Sequence, residues 1–297
     1  MSISITTLHP LFVSEVSGVD LSGPVDRETF NEIEQALNQY AVLIFRNQPL
    51  TDEQQLAFSQ LFGPLETAFG SIRKDRKSRL GHRLLVDVSN LDESGNIRSQ
   101  SDPWRLMQLG NQLWHTDSSY KRVPGKISCL SAHELPPNGS ETEFADLRAA
   151  YDELDQTTRQ RIEDLAAEHS MFYSRSLVGY IDFTEDERAA TPPVAQRLVR
   201  THPGSGRKTL YLASHASHIV GWPVEQGRTL LAELTVFSTQ PRFVYQHRWQ
   251  LNDLVIWDNR CTMHRGRPYD DAGCRRDMRR TTVGDVASTL EQDQLQL

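Results

Sequence analysis

Asn111-Gln-Leu-Trp-His-Thr-Asp-Ser-Ser-Tyr120 reads as an extended segment, and on a strand alternate side chains share a face. His115 and Asp117 would then be presented together, an imidazole beside a carboxylate. Those are two of the three ligands in the 2-His-1-carboxylate triad that holds non-haem Fe(II) and leaves coordination positions open. The best candidate for the third is His264, 147 residues after Asp117, in Trp257-Asp-Asn-Arg-Cys-Thr-Met-His264. A His-x-Asp pair alone is as readily two hydrogen-bonded polar residues on a loop, so further groups have to support the metal reading.

Working outward, the flanking chain alternates short apolar runs with turn chemistry. Upstream, Phe12-Val13 and Val16 to Val19 are expected as short strands. Asp26 caps a helix carrying Phe30, Ile33 and Leu37 to Tyr40. Ala41 to Phe45 is a buried strand. Thr51 and Gln54 form a capping box for a helix that Gly63-Pro64 ends. Residues 66–108 are polar apart from a strand candidate, Leu84 to Val88, and a stretch that long is expected to be an active-site lid insertion. Its basic run, Arg73 to Lys77, reads first as a solvated face.

Downstream, Ile127 to His133 and Thr142 to Phe144 are strands, and Asp146 opens a helical region running past Ile162 and Leu165. Met171 to Pro193 reads as irregular. Leu198 to His202 and Thr209 to Leu212 make a hairpin. Val224 to Phe237 is the last helix, and Arg242 to Trp249, Leu254 to Trp257 and Met278 to Val283 are closing strands. No repeat or linker divides residues 1–297, so a single domain is expected. Many short strands with a few helices indicate a mainly β fold, a sandwich or barrel with helical decoration.

Composition sets outer bounds. With 38% hydrophobic and 24% charged residues the chain is an ordinary globular one. A net charge of −7 argues against a non-specific grip on nucleic acid. Cys129, Cys261 and Cys274 form neither a disulfide framework nor a zinc ribbon, and a cytoplasmic location fits them. No apolar run is long enough to cross a membrane, and no secretion signal is recognisable at the N-terminus.

The arginines near the C-terminus supply the further groups. Arg276 and Arg280 are four apart, so a strand there turns both to one side and Arg275 and Arg279 to the other. Two inward guanidiniums in an acidic chain require anions to meet them. Three protein ligands with open positions, beside an arginine that can clamp a carboxylate, suit a 2-oxo acid. A catalytic zinc hydrolase is the competing reading, but its His-Glu-x-x-His motif is absent. From a different class, the chain could be a non-catalytic β-sandwich binding module. His133, His169, His202, His215, His218 and His247 read as hydrogen-bonded core or surface residues, and Trp249 and Trp257 as strand core.

Trp114-His-Thr-Asp117, Thr142 in Gly139 to Asp146, Trp257 to His264 and Arg275 to Thr281 together resemble the taurine dioxygenase family of Fe(II)/2-oxoglutarate-dependent oxygenases. The likeness covers the whole chain, from Leu8-His-Pro-Leu-Phe12 through Phe62-Gly-Pro-Leu-Glu66 to His247-Arg-Trp249, and is nearest to members that cleave 2,4-dichlorophenoxyacetate. The resemblance implies a double-stranded β-helix, or jelly-roll, with His115, Asp117 and His264 as iron ligands. It implies that Thr142 and Arg276 bind the distal carboxylate of 2-oxoglutarate, with O2 as the second cosubstrate. Asn111 and Arg280 would line the substrate site, and Arg73 or Lys74 would supply a basic residue there. The implied reaction hydroxylates an aryloxyacetate next to its ether oxygen, giving a phenol and glyoxylate with succinate and CO2. A sulfonate of the taurine type or a natural arylalkanoate is the alternative substrate, and Phe69, Ile72 and Leu80 favour an aromatic guest. A small anionic aromatic molecule is thus the expected partner, and a homo-oligomer the expected assembly.

Overall fold

Helix starts fall where side chains can cap them. Asp26 accepts from the Thr29 amide and opens Arg27–Tyr40, whose Ile33, Ala36 and Leu37 are buried. Thr51 and Gln54 close a reciprocal capping box at Asp52–Gln60. Asp146 accepts from the amides of Arg148 and Ala149 at the head of Leu147–Asp152. In the computed structural model, residues 3–73 and 78–292 are described.

Seven strands form the major sheet, in the order Ser4–Thr7, Ser14–Ser17, Val42–Phe45, Leu254–Asp258, Gly125–Glu134, Asp277–Gly284, Val86–Asp87. Neighbours are antiparallel except Ser14–Ser17 against Val42–Phe45. Facing it, a minor sheet runs Val244–His247, Thr142–Asp146, Thr262–Gly266. Trp257 from the major sheet and Phe144 from the minor one meet between them, ring centroids 5.5 Å apart and both fully buried. The fold is the expected jelly-roll with helices around it. The helix Asp52–Gln60 covers the outer face of the major sheet. There Gln55 Nε2 donates to the carbonyls of Cys129 and Arg279, clipping the helix to two adjacent strands.

Several local expectations change. The extended segment at His115 is a single bridge residue, paired with His264, and Asp117 already lies in a turn. Ser118 takes a left-handed φ of 56° and redirects the chain at once. Val13 has a φ of 69°, so the strand starts at Ser14 rather than Phe12. The helical region after Asp146 breaks in two, because Asp155 caps a second helix, Gln156–Ile162. Met171 to Pro193 contains two short helices, Met171–Ser176 and Glu185–Ala190, the latter with its own Thr184/Glu187 capping box. The Leu84 to Val88 strand shrinks to Val86–Asp87, and the strand expected from Arg242 begins only at Val244.

Asp146 and Arg148 have fully buried side chains 3.1 Å apart. Removing the carboxylate strands a buried guanidinium and uncaps a helix. Asp146→Ala is therefore expected to cost about 3–5 kcal/mol, read from urea unfolding midpoints. A loss below about 1 kcal/mol would mean that the Asn38 carbonyl, which Arg148 also reaches, suffices alone.

Candidate metal centre and adjoining cavities

The strand Thr262–Gly266 pairs on one side with Thr142–Asp146 and on the other with His115 alone. His115 and His264 exchange both backbone hydrogen bonds, at 2.9 and 2.8 Å. In such a pair both side chains leave on one face, and the two imidazole centroids stand 4.2 Å apart. The turn after Thr116 swings Asp117 to the same place. Its Oδ1 lies 3.7 Å from His115 Nε2 and its Oδ2 3.7 Å from His264 Nε2. One ligand atom from each residue fits within 4.8 Å of the others, and all three residues are buried.

Neighbouring groups orient this trio. His115 Nδ1 lies 2.8 Å from the Leu113 carbonyl, which as acceptor fixes the proton there and leaves Nε2 with its lone pair. Ser128 Oγ donates to Asp117 Oδ2 at 2.8 Å, and Arg280 Nη1 donates to Oδ1 at 2.5 Å. Asn259 accepts from the Asp117 amide while holding Trp257 Nε1 and donating to Ser128. Burial opposes the charge on Asp117. The Arg280 guanidinium, with His264 and His115, overrides burial and brings the carboxyl down to about 2. Burial lowers His115 to about 4 despite Asp117, and pushes His264 well below its ordinary value. At neutral pH the trio is one carboxylate and two neutral imidazoles, a donor set that suits a divalent metal.

A second cluster, His202, Asp258 and Cys261, does not. Both His202 ring nitrogens are engaged, by Ser205 and Asp258. Asp258 is matched by Arg260 at 2.6 Å, and burial raises the Cys261 thiol. Three of the other expected structural histidines are each held through one ring nitrogen, His247 by Asp253, His169 by Ser119 and His133 by Ser131.

Two cavities adjoin one another, and the outer one reaches the trio. The outer one is lined by His115, His264, Thr142 and Arg276 among others. Thr142 Oγ1 accepts from Trp249 Nε1 at 3.0 Å, so Trp249 serves the site and is not only strand core. Arg276 donates from Nη1 to the Val88 carbonyl, while its buried Nε has no hydrogen-bond partner among the described residues. The inner cavity adjoins the outer one and shares part of its lining. Phe69, Trp104, Met107, Tyr120 and Met171 wall it, beside Lys121, Arg175 and Arg280. Val88, Gln108, Asn111 and Arg280 line both.

Asn111 and Arg280 thus sit where the two cavities join. Arg73 does not line either of them. It donates to the Asp182 carbonyl and to Glu187, so the sequence-based placement of Arg73 at the substrate is corrected. Lys74 lies outside the described residues. Phe69 is at the inner wall and Ile72 packs behind it, whereas Leu80 joins neither cavity. Sequence reasoning missed Arg175 and Tyr120, which no motif marks.

The family model for the taurine catabolism dioxygenases TauD and TfdA matches residues 4–282, and the chain belongs to that family as one of its dioxygenases. It is 46% identical to an alpha-ketoglutarate-dependent 2,4-dichlorophenoxyacetate dioxygenase of Burkholderia sp. (strain RASC), over 95% of each chain. It is 37% identical to an (S)-phenoxypropionate/alpha-ketoglutarate-dioxygenase of Sphingobium herbicidovorans, over 97% of each. The crystal structure of AAD-2 in complex with Mn(II) and N-oxalylglycine superposes with a TM-score of 0.93 at 49% identity, covering 97% of this chain and 100% of that one.

Ser128 holds one oxygen of the proposed carboxylate ligand. Ser128→Ala is expected to weaken metal affinity by about 10- to 100-fold, measured by competition with a chelator; unchanged affinity would remove Ser128 from the site's support.

Proposed function

We propose that this chain is an Fe(II)- and 2-oxoglutarate-dependent dioxygenase that hydroxylates aryloxyacetates. The observation that carries the reading is the convergence of His115, Asp117 and His264 beside a cavity holding Thr142 and an incompletely partnered, buried Arg276. Bound Fe(II) would supply the activation of O2, coupling decarboxylation of 2-oxoglutarate to succinate and CO2 with insertion of one oxygen atom into a substrate C–H bond.

The protein's own groups position and clamp. His115, Asp117 and His264 hold the metal and leave open positions for the cosubstrate. Arg276 receives the distal carboxylate of 2-oxoglutarate through a charge-assisted pair, and Thr142, steadied by Trp249, donates its hydroxyl proton to the same group. Arg280 keeps Asp117 ionised. The apolar inner wall takes the aromatic ring and keeps water from the reacting carbon. Hydroxylation between the ether oxygen and the carboxylate makes a hemiacetal, which collapses to a phenol and glyoxylate. A taurine-like sulfonate would leave the wall of Phe69, Trp104 and Met171 unfilled. Residues 66–108 contribute Phe69, Trp104 and Met107 to that wall, so they act as the cover of one catalytic domain.

The cysteines among the described residues are unpaired, which supports a reducing, cytoplasmic setting. No described helix is long and apolar enough to cross a membrane. A homo-oligomer remains part of the proposal, and light scattering in solution checks it.

With Fe(II), 2-oxoglutarate, ascorbate and O2, aryloxyacetates are expected to stimulate succinate release with equimolar phenol. No stimulation by any aryloxyalkanoate would overturn the substrate reading. His115→Ala and Asp117→Ala are expected to abolish turnover, and full activity in either would overturn the ligand assignment. Arg276→Gln should raise KM for 2-oxoglutarate on the order of 100-fold with a much smaller effect on KM for the aryl acid.

A further inference from the structure

The turn that joins the strands Leu254–Asp258 and Thr262–Gly266 carries Asn259 between the two sheets. Its backbone amide donates to the Lys126 carbonyl at 2.9 Å, which seats it against the strand that bears Ser128. Asn259 and Ser128 are both fully buried. With solvent excluded, each proton between them needs its partner inside the protein.

Those protons can be assigned from the chemistry of the groups. Two donors approach Asn259 Oδ1, the Asp117 backbone amide at 3.2 Å and Trp257 Nε1 at 3.0 Å. Each is an N–H that donates and never accepts. The carboxamide is therefore held with its oxygen toward them, and its amino group faces Ser128 Oγ, 2.9 Å away. A serine hydroxyl has a single proton to give. Ser128 receives from Asn259, so it sends that proton to the acceptor-only carboxylate, Asp117 Oδ2 at 2.8 Å, rather than to the Thr282 hydroxyl at 3.4 Å.

The three hydrogen bonds close a ring: Asp117 amide to Asn259, Asn259 to Ser128, Ser128 to the Asp117 carboxylate. It begins and ends on one residue, gripping backbone and side chain together, so the carboxylate has little freedom to turn about its χ1. A carboxamide is what completes the ring, because an aspartate there would bring no donor and a leucine neither donor nor acceptor. Arg280, the other group on this carboxylate, is not a member. The pose of Asp117 thus does not depend on what else Arg280 meets.

Resting on the assignment of His115, Asp117 and His264 as metal ligands, we propose that Asn259 is a positioning residue for the metal centre, acting through Ser128 to set the ligating pose of Asp117 before the metal arrives. A ligand already in place loses little conformational freedom on binding. The ring therefore contributes to metal affinity.

The test compares Mn(II) affinity, by competition with a chelator, in the unmutated protein, Asn259→Ala, Ser128→Ala and the double variant, each shown to be folded by circular dichroism. Asn259→Ala is expected to weaken Mn(II) by about 10- to 100-fold. The double variant is expected to fall no further than Asn259→Ala alone, within about threefold, because a ring opened at one residue is open at both. Unchanged affinity in Asn259→Ala overturns the proposal, since a purely structural asparagine would shift only the unfolding midpoint. A further loss in the double variant also overturns it, since Asn259 then acts without Ser128. Crystal structures of the unmutated protein without metal and with Mn(II) and N-oxalylglycine need no variant. Asp117 is expected in the same rotamer in both, with its Ser128 contact intact, and a different rotamer in the metal-free protein overturns the preset pose. All three of these adverse results leave the ligand assignment standing. Failure of the unmutated protein to bind Mn(II) overturns the assignment and the proposal together.

Discussion

The exchange of two backbone hydrogen bonds between His115 and His264 is the constraint on which the site depends. It joins positions far apart in sequence at Cα separations of about 5.5 Å, with a geometry that aims both rings the same way. The strand carrying His264 is held in turn by Thr142–Asp146, which places Phe144 opposite His264 and Thr142 opposite Gly266. Two proposed metal ligands and the Thr142 hydroxyl are thus fixed by the register of one small sheet. A slip of one residue would turn His264 away from the cavity and Thr142 with it. Asp117 escapes this sheet by its left-handed neighbour Ser118, and is recaptured by Ser128 and Arg280 from the major sheet. The centre is therefore a joint between two sheets, and each contributes part of it.

Charge is distributed with the same economy. The chain is acidic overall, yet the outer cavity is lined by Arg98, Arg105, Arg267, Arg276 and Arg280. Arg98 and Arg105 are tied to Asp102 and Asp271. Arg280 serves Asp117. Arg276 leans on a carbonyl and on the Tyr269 ring, 5.8 Å from its centroid. In a cavity of low dielectric, the cations without a carboxylate dominate the potential that an incoming anion meets. Arg276 in the outer cavity and Arg175 in the inner one keep guanidinium nitrogens without a hydrogen-bond partner among the described residues.

What could be read from sequence follows the range of the interaction involved. Capping is local, so Asp26, Thr51 with Gln54, and Asp146 marked their helices. The alternation of Arg276 and Arg280 was also legible. The register shift beside it leaves His133 without a partner on the neighbouring strand, so the parity of the last strand is preserved. His115 was assigned to a strand because a single bridge residue and a strand residue look alike in a short extended segment. Thr142 came only through family resemblance, since a threonine on a strand carries no local signal. Arg73, like Lys74, enters only through the resemblance, as a basic residue for the substrate. Its actual partner, Glu187, lies in a short helix that no apolar periodicity announces. Arg175 was invisible for the same reason, as burial of a charge in a six-residue helix is decided by tertiary packing.

The partition between the cavities has a consequence of its own. Its shared members are Val88, Gln108, Asn111 and Arg280, while Phe69, Trp104, Met107 and Met171 belong to the inner side alone. Side chains that do not share a partner act nearly additively. On the proposed placement of ring and cosubstrate, drift at the inner four reshapes what ring is accepted while the grip on the common cosubstrate stays as it was. A scaffold divided in this way can acquire new guests one wall at a time, each step leaving a working oxidant-generating half behind it.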